Sequence, residues 1–410
     1  MKNIPENKIL IFNHVFWPDQ HNTARHISEL SSELVIRGWD VTAIIGNRSY
    51  LDHRKKYLPR KGIWMGVKYK RIYLPPLNQK KNIQRLVTSL WLVFNWIIRI
   101  PWIGDYNLII VGTNPPFAYL VLPFLKLFKR KSKLVLWGFD LYPEAIMASG
   151  KTFELFVGKI IKPVTKHCHR CLDIIVDIGN CMRTIYRSYG HRAQEATLTP
   201  WSFLEPSYKR TTNNATRRLL FGDAKVALLY SGTLGYAHEF DNFLLLARQL
   251  QKIKAPVSIC FAGFGNRFEE LKQQMTPGDY NINFANFVMS DDELSDRLST
   301  ADFMLISLKE SWTGISVPSK FFGAIASGKA VLFSGSEHSS ICELTEKYKL
   351  GFHLTKNNVV KIAESLSEIA ANPELLIQFQ NNAFNTYNKY FSKKTICDGW
   401  DKLLRDAIQS

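Results

Sequence analysis

Short, strongly apolar runs recur along this chain with helix-patterned stretches between most of them, and this alternation limits the possible folds more than any other feature. Lys8–Asn13 reads as a buried first strand, followed by a loop, His14–His21, and an amphipathic helix over Asn22–Arg37. Ala24, Ile27, Leu30 and Leu34 share one face of that helix, and Gly38 is placed to end it. Asp40–Ile45, Val67–Leu74, Leu108–Val111, Lys133–Trp137 and Leu172–Val176 continue the series. Such alternation predicts a parallel sheet with helices on both faces. After a polar stretch, Lys209–Arg218, the pattern restarts. Val226–Ser231, Val257–Ala262, Asp302–Ile306, Ala330–Phe333 and Gly351–Leu354 read as a second set of strands. Helices are predicted over Asp241–Gln251, Asn266–Gln274 and Asp291–Ser299, then over Asn358–Ala371, Glu374–Phe391 and Lys393–Ile408. Ser290 and Glu293 form a capping-box pair, so Asp291-Asp292-Glu293 is helix punctuation rather than a metal site. The expected architecture is α/β, with two successive doubly wound, Rossmann-like units joined near residue 205. Ligands of such sheets bind beyond the carboxyl ends of the strands.

Charge divides the chain in the same place. Residues 1–200 carry 30 Lys/Arg against 13 Asp/Glu, and residues 201–410 carry 23 against 22, so nearly all of the net +18 lies in the first half. A basic half of this kind faces a polyanion, either anionic lipid or nucleic acid. Leu86–Trp102 is apolar, carries three tryptophans and is flanked by Lys80, Lys81, Arg85 and Arg99; Phe117–Phe128 leads into Lys129-Arg130-Lys131 and Lys133. Asn95 and Arg99 interrupt the first run, so an interfacial helix with aromatic and basic anchors fits it better than a membrane span. A core helix with a basic outer edge has the same pattern. No nucleic-acid recognition module is present, and an anionic membrane is the expected partner. Six cysteines in 410 residues, with no secretory leader at Met1–Leu10, point to a reducing cytosol.

The segment Thr313–Gly335 carries the most chemistry. A loop punctuated by Gly314 and Pro318 enters a short small-residue helix, Lys320–Ser327, closed by Gly328 and followed by an apolar strand. A helix N-terminus attracts an anion, and Ser319 and Lys320 add a hydroxyl and a full positive charge there. The arrangement suits a diphosphate held without a metal, although an ordinary αβ connection has the same outline.

These residues resemble the retaining glycosyltransferases of family 4, which have the GT-B fold, and most of all the branch that builds bacterial surface polysaccharide and amino-sugar linkages. The resemblance rests on Asp140-Leu141-Tyr142-Pro143-Glu144, Thr199-Pro200-Trp201, Tyr230-Ser231-Gly232-Thr233-Leu234-Gly235, Ala262-Gly263-Phe264-Gly265, Val317-Pro318-Ser319-Lys320 and Ala326-Ser327-Gly328-Lys329. It implies two facing domains, an acceptor and membrane-facing domain over 1–205 and a nucleotide-sugar domain over 206–390. A C-terminal helix over 391–410 would cross back to the first. It also implies transfer with retention from a nucleotide-diphosphate sugar, UDP-linked by family habit, with no cofactor and no metal. The acceptor would be a saccharide or a polyprenyl-diphosphate-linked sugar at the cytoplasmic face of the membrane, in O-antigen or capsule synthesis.

On the same resemblance, Lys320, Asp140 and Glu144 are the expected catalytic residues. Gly232, Thr233, Gly235, His238, Gly263, Gly265, Glu310, Gly314, Pro318, Ser319, Gly323, Ser339 and Ser340 are expected at the donor, and Trp17, Asp19, Gln20, His21 and Asn22 at the acceptor. Three positions depart from the family pattern. Gly323 stands where the second of two glutamates is usual, and Ile315 stands at the spacing of the first, with Glu310 the nearest carboxylate. Tyr236-Ala237-His238-Glu239 replaces an Arg and Lys that bind diphosphate, and the loop Trp17–Asn22 lacks the usual glycines. The missing glutamate suggests a donor lacking a hydroxyl, such as an acetamido-deoxy sugar.

His167-Cys168-His169-Arg170-Cys171 looks like a metal cluster, but helix neighbours do not share a face, and no second group has zinc spacing. Cys260 and Cys342 read as small core residues. His14 and His26 have no Ser or Cys partner in sequence that suggests a triad. Two other readings stay open: a nucleotide-sugar 2-epimerase of the same architecture, and a non-catalytic nucleotide-sugar-binding protein.

Overall fold

The computed structural model describes residues 7–49, 57–79, 81–148, 152–205, 212–265, 267–286 and 290–409. Lys80, Asn266 and the start of the polar stretch at Lys209 lie outside the described residues. The chain divides into two compact units: Met1–Thr199 with Gly314–Ser316 and Ile396–Ser410, and Pro200–Thr313 with Val317–Thr395.

The first unit is built on eight strands: β1 (Lys8–Phe12), β2 (Asp40–Gly46), β3 (Lys61–Trp64), β4 (Val67–Ile72), β5 (Leu108–Gly112), β6 (Lys133–Trp137), β7 (Ile174–Asp177) and β8 (Gln194–Thr197). Their order is β3-β4-β2-β1-β5-β6-β7-β8, parallel throughout except for the β3–β4 pair. The second unit holds β9 (Val226–Thr233), β10 (Val257–Phe264), β11 (Ile282–Ala285), β12 (Phe303–Ser307), β13 (Ala330–Ser334) and β14 (Gly351–Leu354). Its order is β11-β10-β9-β12-β13-β14, all parallel. Within the unit this is the 3-2-1-4-5-6 order of dinucleotide-binding sheets. The α/β, two-unit Rossmann-like architecture is therefore the one the alternation predicts.

Central strands such as Leu108–Gly112 and Ala330–Ser334 are buried along their whole length. They read as continuous apolar runs because helices cover both faces of the sheet. The sequence reading missed β3, β8 and β11, and all three lie at sheet edges. Edge strands are short and polar to discourage further pairing, so Gln194–Thr197 and Lys61–Trp64 show no apolar run to detect.

The last helix, Lys393–Gln409, joins the first unit from Ile396 onward. Trp400 is fully buried, its ring 5.0 Å from that of Trp137. The Trp39 indole N–H donates to Asp401 at 2.6 Å, and Arg37 pairs with Asp398 at 2.7 Å. In the second unit the helix Asp291–Ser299 starts as its capping residues predict: Ser290 Oγ accepts from the Glu293 N–H at 3.2 Å. The Glu293 carboxylate, however, takes the Ser290 hydroxyl at 2.9 Å rather than its backbone N–H. Ser290→Ala is expected to lower stability by about 1 kcal/mol, read as a lower midpoint in chemical denaturation with an unchanged slope.

Candidate functional site

In the second unit the strand order reverses between β9 and β12, the position at which doubly wound sheets bind ligands. The ladder between these strands covers only Leu228–Phe303 and Leu229–Met304 and does not reach their carboxyl ends at Thr233 and Ser307. The residues past those ends form the candidate site.

Lys320 is its centre. The ammonium donates to Tyr230 Oη at 2.6 Å and to the Thr233 carbonyl at 2.7 Å, and lies 3.9 Å from the centre of the Tyr230 ring. Tyr230 in turn donates to the Thr233 carbonyl at 2.9 Å. An ammonium has three N–H donors, so one is left for a ligand. Desolvation lowers the Lys320 pKa to about 7, although the side chain is only half-buried. Burial alone is the cause, with no carboxylate charge acting against it.

Glycines make room for this arrangement. Gly232 has φ +114°, and a Cβ there would lie 3.0 Å from Lys320 Cε. Gly263 pairs with Gly232 across β9 and β10, and its Cβ would come within 2.0 Å of the Gly232 carbonyl oxygen. Gly265, at φ +134°, would meet the Leu234 carbonyl at 2.3 Å. A Cβ on Gly235 or Gly323 would meet nothing within 4 Å, so the fold does not demand glycine at either position.

His238 bridges the gap between the two strand ends, its Nδ1 2.8 Å from the Ser307 carbonyl. Burial and the positive charges of Lys320, Arg267 and Lys309 push its pKa down to about 3. Arg267 pins this loop: its guanidinium donates to the His238 carbonyl at 2.7 Å and lies 4.7 Å from the centre of the Phe240 ring. The Lys309 N–H donates to the Ala237 carbonyl at 2.7 Å. Glu239 accepts from Ser334 Oγ at 3.0 Å, and burial raises its pKa. The sequence reading did not single out Tyr230, Arg267, Lys309 or Glu239 as site residues. Tyr230 lies within β9, while Glu239, Arg267 and Lys309 follow β9, β10 and β12, and only the sheet order brings them together.

The other residues expected at the donor lie on several different elements. The helix Lys320–Ala326 has only seven residues, and the Phe321 and Phe322 N–H groups already donate to the Pro318 and Ser319 carbonyls, both at 3.1 Å. The helix end therefore offers less to an anion than its sequence suggests, and the lysine carries the charge. Ser319 makes no cap hydrogen bond. Ser339 Oγ caps the helix Ser340–Lys347 by accepting from the Cys342 N–H at 3.2 Å, and both Ser339 and Ser340 are buried. Glu310 is exposed on a short 3-10 turn. Gly314, at φ +78°, belongs to the first unit, where a Cβ would meet the Cys181 carbonyl at 2.7 Å.

The first unit has its own reversal point, between β1 and β5. His14 lies there, its N–H donating to the Asn114 carbonyl at 2.7 Å; burial, reinforced by the charge of His21, lowers its pKa to about 4. Asp19 accepts from the His21 N–H at 3.2 Å. Burial lowers the His21 pKa, while Asp19 and Asp140 act in the opposite direction. Asp140 keeps solvent-accessible surface, but surrounding protein atoms desolvate its carboxyl and raise its pKa against a hydrogen bond from Ser316 and the charges of His21 and Arg85. Asp19, His21 and Asp140 thus converge. Trp17 stacks on Trp64 with ring centres 5.8 Å apart, while Gln20 and Asn22 are exposed. The charge of Glu144 acts on Tyr119, Tyr186 and Tyr189, and that of Asp140 also acts on Tyr186.

The histidine–cysteine run forms no cluster of metal ligands among the described residues: His169 Nδ1 lies 2.8 Å from the Thr165 carbonyl, and burial raises the Cys168 thiol to about 12. Cys342, Glu346 and His353 do approach one another within 4.8 Å, a grouping absent from the sequence reading. The Cys342 thiol there is pushed up to about 12 by burial and by Glu346, to which it donates at 3.7 Å.

Comparison with known proteins fits this geometry. Residues 212–386 match the family model described as Glycosyl transferases group 1. A probable glycosyltransferase, WbjE of Pseudomonas aeruginosa, is 20% identical over 268 residues, covering 64% of this chain and 66% of that protein. Among solved structures, sucrose-phosphate synthase from Thermosynechococcus elongatus superposes with a TM-score of 0.71 at 14% identity over 98% of both chains. HepE from Anabaena, solved with UDP-glucose, gives a TM-score of 0.66 at 15% identity over 97% of this chain and 99% of that one. At such identities the structural likeness speaks for the fold.

Proposed function

We propose that this chain, whose residues 212–386 match the family model described as Glycosyl transferases group 1, is a retaining glycosyltransferase using a nucleotide-diphosphate sugar, UDP-linked. The observation that carries the reading is Lys320, a desolvated cation with one unused N–H above strand ends that only glycine can occupy. Departure of the donor diphosphate builds negative charge, and a preorganised cation stabilises it without a metal. Asp140 with Asp19 and His21 supplies polar groups at the carboxyl ends of the first sheet, suited to an acceptor hydroxyl. Open space at Gly323 supports a donor with a bulky substituent, such as an acetamido-deoxy sugar. The test is release of nucleoside diphosphate from a panel of nucleotide sugars, with and without saccharide and polyprenyl-diphosphate-sugar acceptors. Release that requires acceptor, with the anomeric configuration kept, is the expected result. Sugar-nucleotide conversion without acceptor would favour the epimerase, and binding without turnover a non-catalytic protein.

The acceptor is proposed to be lipid-linked and met at an anionic membrane face in surface-polysaccharide synthesis. No helix among the described residues is long and apolar enough to cross a membrane. The helix Asn82–Ile97 instead turns Leu92, Val93 and Trp96 inward and leaves Leu86, Val87, Leu90, Trp91 and Phe94 exposed. Trp102, Phe124, Leu127 and Phe128 are exposed as well, and the helix Thr152–His169 adds Phe156, Ile160 and Val164 at four-residue spacing, a stripe the sequence reading did not mark. Apolar stripes on a basic domain suit peripheral docking. Leu90→Glu with Phe94→Glu is expected to weaken sedimentation with phosphatidylglycerol vesicles at least tenfold while leaving turnover on a soluble acceptor unchanged. Undiminished sedimentation would contradict it.

A further inference from the structure

We propose that His238 reads a hydroxyl group of the donor: it is held as the tautomer protonated at Nδ1 and presents Nε2 as a hydrogen-bond acceptor. The inference rests on the donor-site reading and says what that site recognises besides phosphate. The Ser307 carbonyl, 2.8 Å from Nδ1, can only accept, so the ring proton sits on Nδ1 and the lone pair on Nε2. Nε2 has no hydrogen-bond partner among the described residues.

The rest of the residue is fixed. Its N–H donates to the Gly235 carbonyl at 3.0 Å, its carbonyl accepts from Arg267 at 2.7 Å, and its ring meets that of Tyr230 edge-on at 6.2 Å. Three cations, Lys320, Arg267 and Lys309, act on the imidazole and oppose a second proton. The ring stays neutral across the physiological range. A neutral imidazole with a bare Nε2 repels a phosphate oxygen, which is also an acceptor, and suits a hydroxyl. Lys320 and His238 therefore divide the work. The ammonium takes the diphosphate, and the imidazole takes an O–H of the ribose or of the transferred sugar.

The test is long-range proton–nitrogen NMR on the whole protein labelled at histidine, titrated with UDP and then with UDP-glucose, UDP-N-acetylglucosamine and their GDP and dTDP counterparts. An unprotonated Nε2 signal for His238 from pH 5 to 9, shifting when a nucleotide or sugar nucleotide binds, is the expected result. A shift with the nucleoside diphosphate alone identifies a ribose hydroxyl, and one that needs the sugar nucleotide identifies a sugar hydroxyl. His238→Phe, which keeps the ring packing and removes the acceptor, should weaken the same ligand about tenfold, the size of one hydrogen bond. Proton density on Nε2, or ligand binding with no response at Nε2 and no loss in His238→Phe, would overturn the assignment while leaving the donor site standing. Failure of every nucleotide and sugar nucleotide to bind would overturn the donor site and this inference with it.

Discussion

Lys320→Ala is expected to lower turnover about 10²-fold or more, the loss typical of removing one preorganised stabiliser of developing negative charge. Folding should survive the change. Tyr230 Oη still donates to the Thr233 carbonyl at 2.9 Å, so no buried donor is orphaned, and a desolvated charge is removed. A melting temperature close to wild type beside a collapsed rate would separate function from stability. Acidity gives a second readout. Lys320 in the free protein loses its proton as pH rises through about 7, well below its ordinary value of 10.5. A bound diphosphate raises that pKa again, so donor affinity is greatest below pH 7 and falls as pH rises towards 9. The donor diphosphate is already ionised across that range, and Lys320→Ala should abolish the slope. For folding the sign is opposite. Between pH 7 and 10.5 the unfolded chain holds the extra proton, so this group adds stability as pH rises. Wild-type turnover in Lys320→Ala would remove the lysine from the mechanism.

The second large effect is expected at Gly263. A Cβ there would sit 2.0 Å from the carbonyl oxygen and 2.9 Å from the carbonyl carbon of Gly232, both main-chain atoms that cannot rotate aside. Gly263→Ala must part the ends of β9 and β10, where Lys320 is anchored through Thr233. A loss of about 3 kcal/mol in stability is expected, at the upper end for overpacking, with donor affinity lowered at least 10²-fold. Gly323→Ala is the matched control. It meets nothing within 4 Å and lies inside the helix Lys320–Ala326, so it should raise stability by up to about 1 kcal/mol. Equal melting temperatures for Gly263→Ala and wild type would show that the strand ends tolerate separation.

The fold was legible because central strands of parallel sheets are apolar on both faces, as in Leu-Ile-Ile-Val at Leu108–Gly112. The edge strands β3, β8 and β11 were not, since solvent on one side removes the signal. Much of the donor half was also visible. Lys320 follows a Pro-Ser turn, and Gly232 and Gly263 each end a strand. What sequence did not reveal is long-range. Arg267 follows β10 and Lys309 follows β12, yet both act on His238 after β9 because the sheet order places those three strands side by side. The tautomer of His238 depends on a carbonyl 69 residues away. The helix N-terminus was over-read for a local reason: the Phe321 and Phe322 N–H groups turn back onto Pro318 and Ser319. In the first unit, Asp19, His21 and Asp140 converge, while Trp17 belongs to an aromatic stack with Trp64.

A crystal structure of the protein with UDP tests the central claim most directly. The account predicts a diphosphate oxygen within about 3 Å of Lys320 Nζ, resting over Gly232 and Gly263. A nucleotide bound elsewhere, with Lys320 still turned only to Tyr230 and Thr233, would contradict it.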